Sequence, residues 1–123
     1  MEETNMREDI YWVCVFSIEP ANFEKFQSVV APLVEETKKE PGSLAYEYFV
    51  TKDKTAVHII EHYRNSSAVV LHVQGTFSKF AEPFTAIASV RSFLVYGTPN
   101  AEAQAILDGF GATYHDGFDG FTK

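Results

Sequence analysis

The chain has 123 residues, the length of one domain, and can bury a core without disulfides or metals. Its net charge of −7, with no Lys/Arg cluster, argues against a phosphate backbone or an anionic bilayer surface, so neither nucleic acid nor membrane is an expected partner. The acidic start MEETNMRED lacks a signal-peptide pattern and no apolar run approaches the ~20 residues of a bilayer span, so a soluble cytoplasmic protein is predicted.

Residues 1–9 read as a loose arm. Ile10 to Ile18, IYWVCVFSI, is almost wholly apolar and rich in β-branched and aromatic residues, which predicts a strand buried on both faces. The single cysteine, Cys14, lies within it, has no partner for a disulfide, and reads as an inert buried thiol. Pro20 suits the first turn of a helix. Phe23, Phe26, Val30, Leu33, Val34 and Thr37 then share one helical face. Pro32 lies inside this pattern and predicts a kink or break near Ser28–Ala31.

Pro41-Gly42 turns the chain. Leu44–Thr51 and Ala56–Arg64 read as two strands joined by a short charged hairpin. Asn65-Ser66-Ser67 supplies capping chemistry for a second helix. Gly75-Thr76 is expected to interrupt that helix, and Phe77, Phe80, Phe84 and Ile87 continue its apolar stripe. Ser89–Gly97 is a fourth strand. The order β-α-β-β-α-β predicts an α+β, ferredoxin-like domain over residues 10–98. Residues 99–123 form an extension with a short helix, capped by Asn100, and a glycine-rich tail. Its Tyr114, Phe118 and Phe121 are expected to dock, on this subunit or on a partner.

On the first strand Trp12, Cys14, Phe16 and Ile18 point one way and Tyr11, Val13 and Val15 the other. Both sets are apolar, whereas a sheet covered on one face alternates apolar with polar. A homodimer formed by two sheets face to face is the simplest cover. The 15% aromatic content, with 11 Phe, fits a large interface, an aromatic-lined cavity or a phenylalanine-rich core.

Few residues offer chemistry. His58 and His62 share a strand face but lie roughly 13 Å apart at ~3.3 Å per residue, too far to bind one zinc. No HExxH, GxGxxG, GxxxxGK[ST] or GxSxG motif occurs, so neither a metal nor a nucleotide cofactor is expected. Glu61 lies on the opposite face with Val57, Ile59 and Tyr63. A carboxylate among such neighbours is costly to bury, so it is an acid or base of raised pKa, a structural partner of Arg91, or a solvated strand end. Glu47 poses the same question on strand two. His72, in LHVQGTF, either reaches a cleft between helix and sheet, where it can move a proton near neutral pH, or sits at a surface or core edge.

The stretch Glu40 to Phe80 resembles the signature half of the antibiotic biosynthesis monooxygenase family. Pro41-Gly42, Tyr46, Glu61, Tyr63 and His72, nine residues after Tyr63, fill the family's places. The resemblance implies a dimeric α+β barrel with a pocket between sheet and helices. It implies a monooxygenase that oxidises a small aromatic or quinol substrate with O₂, using neither metal nor flavin. His72 would transfer the proton, with Glu61 and Arg91 as polar supports, and Tyr46, Tyr63, Trp12 and Phe77 would line the cavity. The chain departs from the pattern at Tyr63, where tryptophan is common, and at Phe77, where many members carry a second histidine. Glu82 stands where the haem-degrading branch has its iron ligand, and strand one lacks that branch's asparagine, so haem degradation is not implied. An isomerase or lyase working in the same pocket, or a non-catalytic ligand-binding stress-response protein, are the rival readings.

Overall fold

A computed structural model describes residues 7–123; the first six residues of the expected arm lie outside the described residues. Strand β1, Ile10–Ile18, alternates strictly between buried and half-buried side chains. Helix α1 spans Phe23–Lys38 after a short turn begun by Pro20. Strands β2 (Ser43–Val50) and β3 (Ala56–Tyr63) form the hairpin. Helix α2, Ser66–Val70, runs on into a wider π-helical turn, Leu71–Thr76. Helix α3 (Ala81–Ile87) and strand β4 (Ala88–Tyr96) complete the ferredoxin-like unit.

The sheet order is β2-β3-β1-β4 and then a short fifth strand, β5 (Thr113–His115), with every pairing antiparallel except β4–β5. Apolar run and β-branched content put β1 at the centre, and its inward residues Trp12, Cys14, Phe16 and Ile18 are all buried. Helix α1 lays Phe26, Leu33 and Thr37 on this face. Gly42 fixes the turn after α1, because a Cβ there would lie 2.6 Å from the Ala68 Cβ. Only a glycine lets the turn close against α2 in this way.

Three expectations about helices and tail are corrected. Helix α1 runs unbroken past Pro32. Pro32 is on the exposed face, and so is Ser28, whose carbonyl loses its helical donor there and is left to water. Gly75-Thr76 does not interrupt the second helical region. The chain absorbs the pair inside the π turn, and the break comes later, at Phe77–Phe80. The extension holds a strand as well as a helix. Helix α4, Ala101–Asp108, is capped by Asn100 and buries Ala103 and Leu107. Strand β5, Thr113–His115, then returns parallel to β4. The Tyr114 hydroxyl donates to Asp108 at 2.6 Å, so that aromatic is tied to α4. Phe118 and Phe121 do not dock on their own chain: they are 99% and 83% exposed.

The outer face of the sheet is open in the single chain. It carries Tyr11, Val13 and Val15, with Ile60 and Phe49 exposed among them. His62 stacks on Tyr11 at 4.1 Å and meets Asp9 at 2.6 Å on the same face.

Candidate active site

Between the inner sheet face and α2, α3 and Phe110 lies a narrow, partly open cavity of about 30 Å³. Strand alternation decides what enters it. Register places Glu61 of β3 directly opposite Trp12 of β1 on one side and Tyr46 of β2 on the other, so three polar-tipped side chains stand in one row across the sheet. Phe16, Ile59, Phe77, Phe84, Phe93 and Phe110 supply apolar wall. The π turn matters here, because the wider winding sets His72 on the inner side, where it is 2% exposed.

His72 stands between two carboxylates. Its Nδ1 lies 3.3 Å from Glu40 Oε1, and its Nε2 lies 3.9 Å from Glu61 Oε1. The Ser43 hydroxyl donates to Glu40 at 2.5 Å, and the Tyr63 hydroxyl donates to Glu61 at 2.5 Å. The rings of Tyr46 and Tyr63 pack on the imidazole at 5.0 and 5.3 Å.

The two carboxyls are tuned in opposite directions. Burial pushes Glu61 above the ordinary glutamate value, and the nearby His72, Tyr63, Trp12 and Cys14 offset only part of that. Burial also pushes Glu40 up, but hydrogen bonds with His72 and Ser43, and contact with Thr76, overcome it and leave Glu40 below its usual range. Glu40 is therefore the ionised end. An ionised Glu40 accepts from Nδ1–H and selects the tautomer whose Nε2 lone pair faces Glu61. This is the base-plus-orienting-carboxylate logic of nucleophilic triads, with a second, proton-holding acid at the far side. It can take a proton from a bound molecule and return one.

Of the residues singled out in the sequence, His72, Glu61, Tyr46, Trp12 and Phe77 line this cavity, and Tyr63 stands behind it bonded to Glu61. Arg91 does not support the site. A bulge between Val15 and Phe16 leaves Arg91 unpaired in β4, and its Nε donates to Ser17 Oγ at 3.0 Å. Ser17 points to the outer face, away from Glu61, so the Glu61–Arg91 pair, one of the alternatives the sequence left open, does not form. Glu47 and His58 are exposed on that outer face, which answers the question posed for Glu47.

Glu40 was not foreseen. Its signal is electrostatic: it follows the C-terminus of α1, where a negative charge opposes the helix dipole and calls for a compensating partner. Cys14 was read as inert, yet it faces the cavity with Sγ 3.7 Å from Glu61. Burial pushes its thiol pKa upward, so it remains a neutral group. Among the described residues, no cluster of three or more His, Cys, Asp or Glu is placed to hold a metal ion, and no helix is long and apolar enough to cross a membrane.

A sequence profile described as antibiotic biosynthesis monooxygenase matches residues 10–87. No curated protein matches the chain in sequence. Among solved structures, the chain is similar to MupZ from Pseudomonas fluorescens, with a TM-score of 0.80, 22% identity, and 96% of this chain and 91% of that one covered. It is also similar to SnoaB, a cofactor-independent oxygenase from Streptomyces nogalater (TM-score 0.62, 17% identity, 76% and 96% covered). Rv0793 from Mycobacterium tuberculosis gives 0.65, 15% identity, 75% and 96% covered. The likeness to MupZ takes in most of the extension carrying α4 and β5, whereas the other two match about three quarters of this chain.

Proposed function

The chain belongs to the antibiotic biosynthesis monooxygenase family, and on that premise we propose that it is a cofactor-independent monooxygenase of a small aromatic, anthrone-type or quinol substrate. The observation that carries this reading is the Glu40–His72–Glu61 row at the polar end of an aromatic-walled cavity. In this chemistry the substrate supplies the electrons. A benzylic CH₂ flanked by a carbonyl system loses a proton to His72 Nε2, and the resulting electron-rich enolate reacts with O₂. The adduct is a hydroperoxide. The carbon's second C–H bond then gives up a proton, and that electron pair closes the C=O as the O–O bond breaks. The outer oxygen leaves as water carrying both hydrogens of the CH₂, so the four electrons that reduce O₂ all come from that carbon. Glu61, whose carboxyl burial pushes above the ordinary glutamate value, is the acid placed to supply a proton to the departing oxygen. The phenylalanine walls must part to take a flat substrate and, closed on it, keep bulk water out. SnoaB, whose core this chain shares in fold, is a cofactor-independent oxygenase, which favours the same reading.

Dissolved-oxygen uptake by the purified protein tests it, with dihydroxynaphthalenes, anthrones and benzoquinols as candidates. Uptake above the autoxidation rate and insensitive to chelator is expected for at least one class. If none is consumed, oxygenation falls and the row's capacity for proton transfer alone favours an isomerase or lyase.

The active unit on this reading is a homodimer closed over the outer sheet face. Tyr11, Val13, Val15, Phe49 and Ile60 make that face too apolar to remain wet. Sedimentation at micromolar concentration should return about twice the 13.8 kDa chain mass. A species at the chain mass would refute the dimer and leave the cavity reading untouched.

A further inference from the structure

Two buried side-chain polar atoms lack a hydrogen-bond partner among the described residues, Thr37 Oγ1 and Trp12 Nε1. Thr37 belongs to α1 and takes no part in the cavity wall. Trp12 does line the cavity and is 2% exposed. Unsatisfied buried donors are rare in native proteins because burial strips the group of water without returning a partner. An indole nitrogen can only donate, so the missing partner is an acceptor.

Among the described residues no acceptor completes a hydrogen bond with the indole. Trp12 is held by β1 at the centre of the sheet, between Tyr63 at 4.7 Å and Phe93 at 5.3 Å, so the ring cannot swing to seek one. Its N–H leans toward the Glu61 carboxyl without reaching hydrogen-bond geometry. That carboxyl accepts from Tyr63 on one oxygen and Cys14 on the other, and the indole completes no third bond to it. The remaining polar groups of the wall are His72, whose Nε2 faces Glu61, the phenols of Tyr46 and Tyr48, and the Cys14 thiol, and none of them completes a hydrogen bond with the indole. Tyr46 and Tyr48 bond each other at 2.6 Å, and burial holds both phenols well above their ordinary pKa. The cavity thus offers a fixed, vacant donor beside an acid–base row, within otherwise apolar walls.

We propose that Trp12 is the specificity-determining residue of this cavity: its indole N–H hydrogen-bonds a carbonyl or enolate oxygen of the ligand, so the site selects flat apolar molecules bearing one oxygen acceptor over hydrocarbons of the same shape. This rests on the reading of the cavity as the substrate site and adds the chemical feature by which substrate is chosen. The consequence for the reaction is direct. When a C–H next to a carbonyl loses its proton, negative charge moves to the carbonyl oxygen. A fixed donor on that oxygen holds the enolate more strongly than the ketone, and so favours the step as well as the binding.

The chain has a single tryptophan, so the indole N–H gives one resolved signal in a ¹H–¹⁵N spectrum of the whole protein. The probes are 1-tetralone, which has a carbonyl, and tetralin, which has the same ring system without it. Tetralone should move the indole proton downfield and bind about ten-fold more tightly than tetralin, the value of one net hydrogen bond. In Trp12→Phe the two should bind alike, at the affinity that tetralin shows for the natural chain. Equal binding of both probes to the natural chain overturns the proposal, as does tetralone binding that leaves the indole signal in place. Failure of both to bind would remove the cavity as a ligand site and this proposal with it. Because neither probe has to turn over, an absence of oxygen uptake alongside a tetralone-shifted indole would sink oxygenation while keeping Trp12 in its role. The comparison on the natural chain stands even if Trp12→Phe folds poorly.

Discussion

Replacing His72 with alanine should lower turnover of any substrate the protein accepts by about 10²–10⁴-fold, the usual worth of a positioned acid–base group, with a much smaller change in KM. The imidazole stands between the two carboxyls, with Nδ1 3.3 Å from Glu40 and Nε2 3.9 Å from Glu61. Its removal leaves no base of suitable strength at the polar end of the cavity. Glu40 cannot substitute, because its lowered pKa makes it too weak a base and its contacts with Ser43 and Thr76 point it away. Stability should suffer too. Glu40 loses its principal partner while buried, which costs roughly 1–3 kcal/mol. Steady-state kinetics on the variant, together with its melting curve, separates the two effects. A folded His72→Ala protein that keeps full turnover would show that the row is structural and that proton transfer happens elsewhere.

Much of this was legible in the chain, and the exceptions have physical causes. The four principal strands are continuous runs of β-branched and aromatic residues bounded by Pro, Gly and charged turns, so their order followed from pattern. Strand β5 was not visible because Thr113–His115 is three residues long and has no alternation of its own. It exists because Leu107 and Ala103 anchor α4 and deliver the chain back alongside β4. Pro32 suggested a break, but the sequence does not say that the freed Ser28 carbonyl faces water. His72 and Glu61 could be picked out one at a time, since each is a titratable residue in an apolar neighbourhood. Their partnership with Glu40 depends on a long-range meeting of the α1–β2 turn with α2. A single glycine, Gly42, on which a Cβ would lie 2.6 Å from the Ala68 Cβ, permits that meeting. Arg91 shows the opposite failure. One extra residue at a bulge is enough to take a side chain off the register that pattern predicts, and no periodicity in β4 announces the bulge.

Glu61→Gln should give a protein that is less active and, at neutral and alkaline pH, more stable. Glutamine keeps the shape of the side chain and an oxygen to accept from Tyr63, but it can neither ionise nor move a proton. Turnover should therefore fall by about 10²-fold or more if Glu61 supplies the proton to the departing oxygen. The stability effect follows from linkage. Folding raises the Glu61 pKa through burial, so the folded state holds this proton more tightly than the unfolded state does. The native Glu61 is therefore accommodated best below the unfolded glutamate value. As pH climbs through the raised folded value, stability is lost, because a charge must then be kept in the cavity. Glutamine has no such dependence. Glu40 acts with the opposite sign, its lowered pKa contributing stability that disappears only in acid, but it is present in both proteins and its direct contribution cancels in the comparison. Melting temperatures of the two proteins should accordingly converge near pH 4 and separate toward pH 9, with the variant higher by a few degrees. For a domain of this size ~1 kcal/mol moves the midpoint by roughly 2–8 °C, so the gap is measurable by ordinary calorimetry. A variant that melts lower by the same amount at every pH would mean that Tyr63, Cys14 and His72 satisfy the ionised carboxylate fully. Glu61 would then be a structural anion, and the proton in the reaction would have to come from His72 alone. An active, more stable variant would leave the linkage intact and remove Glu61 from the chemistry. The combination expected here, stability gained and turnover lost at one atom, is the pattern of a group kept under electrostatic strain because the reaction uses it.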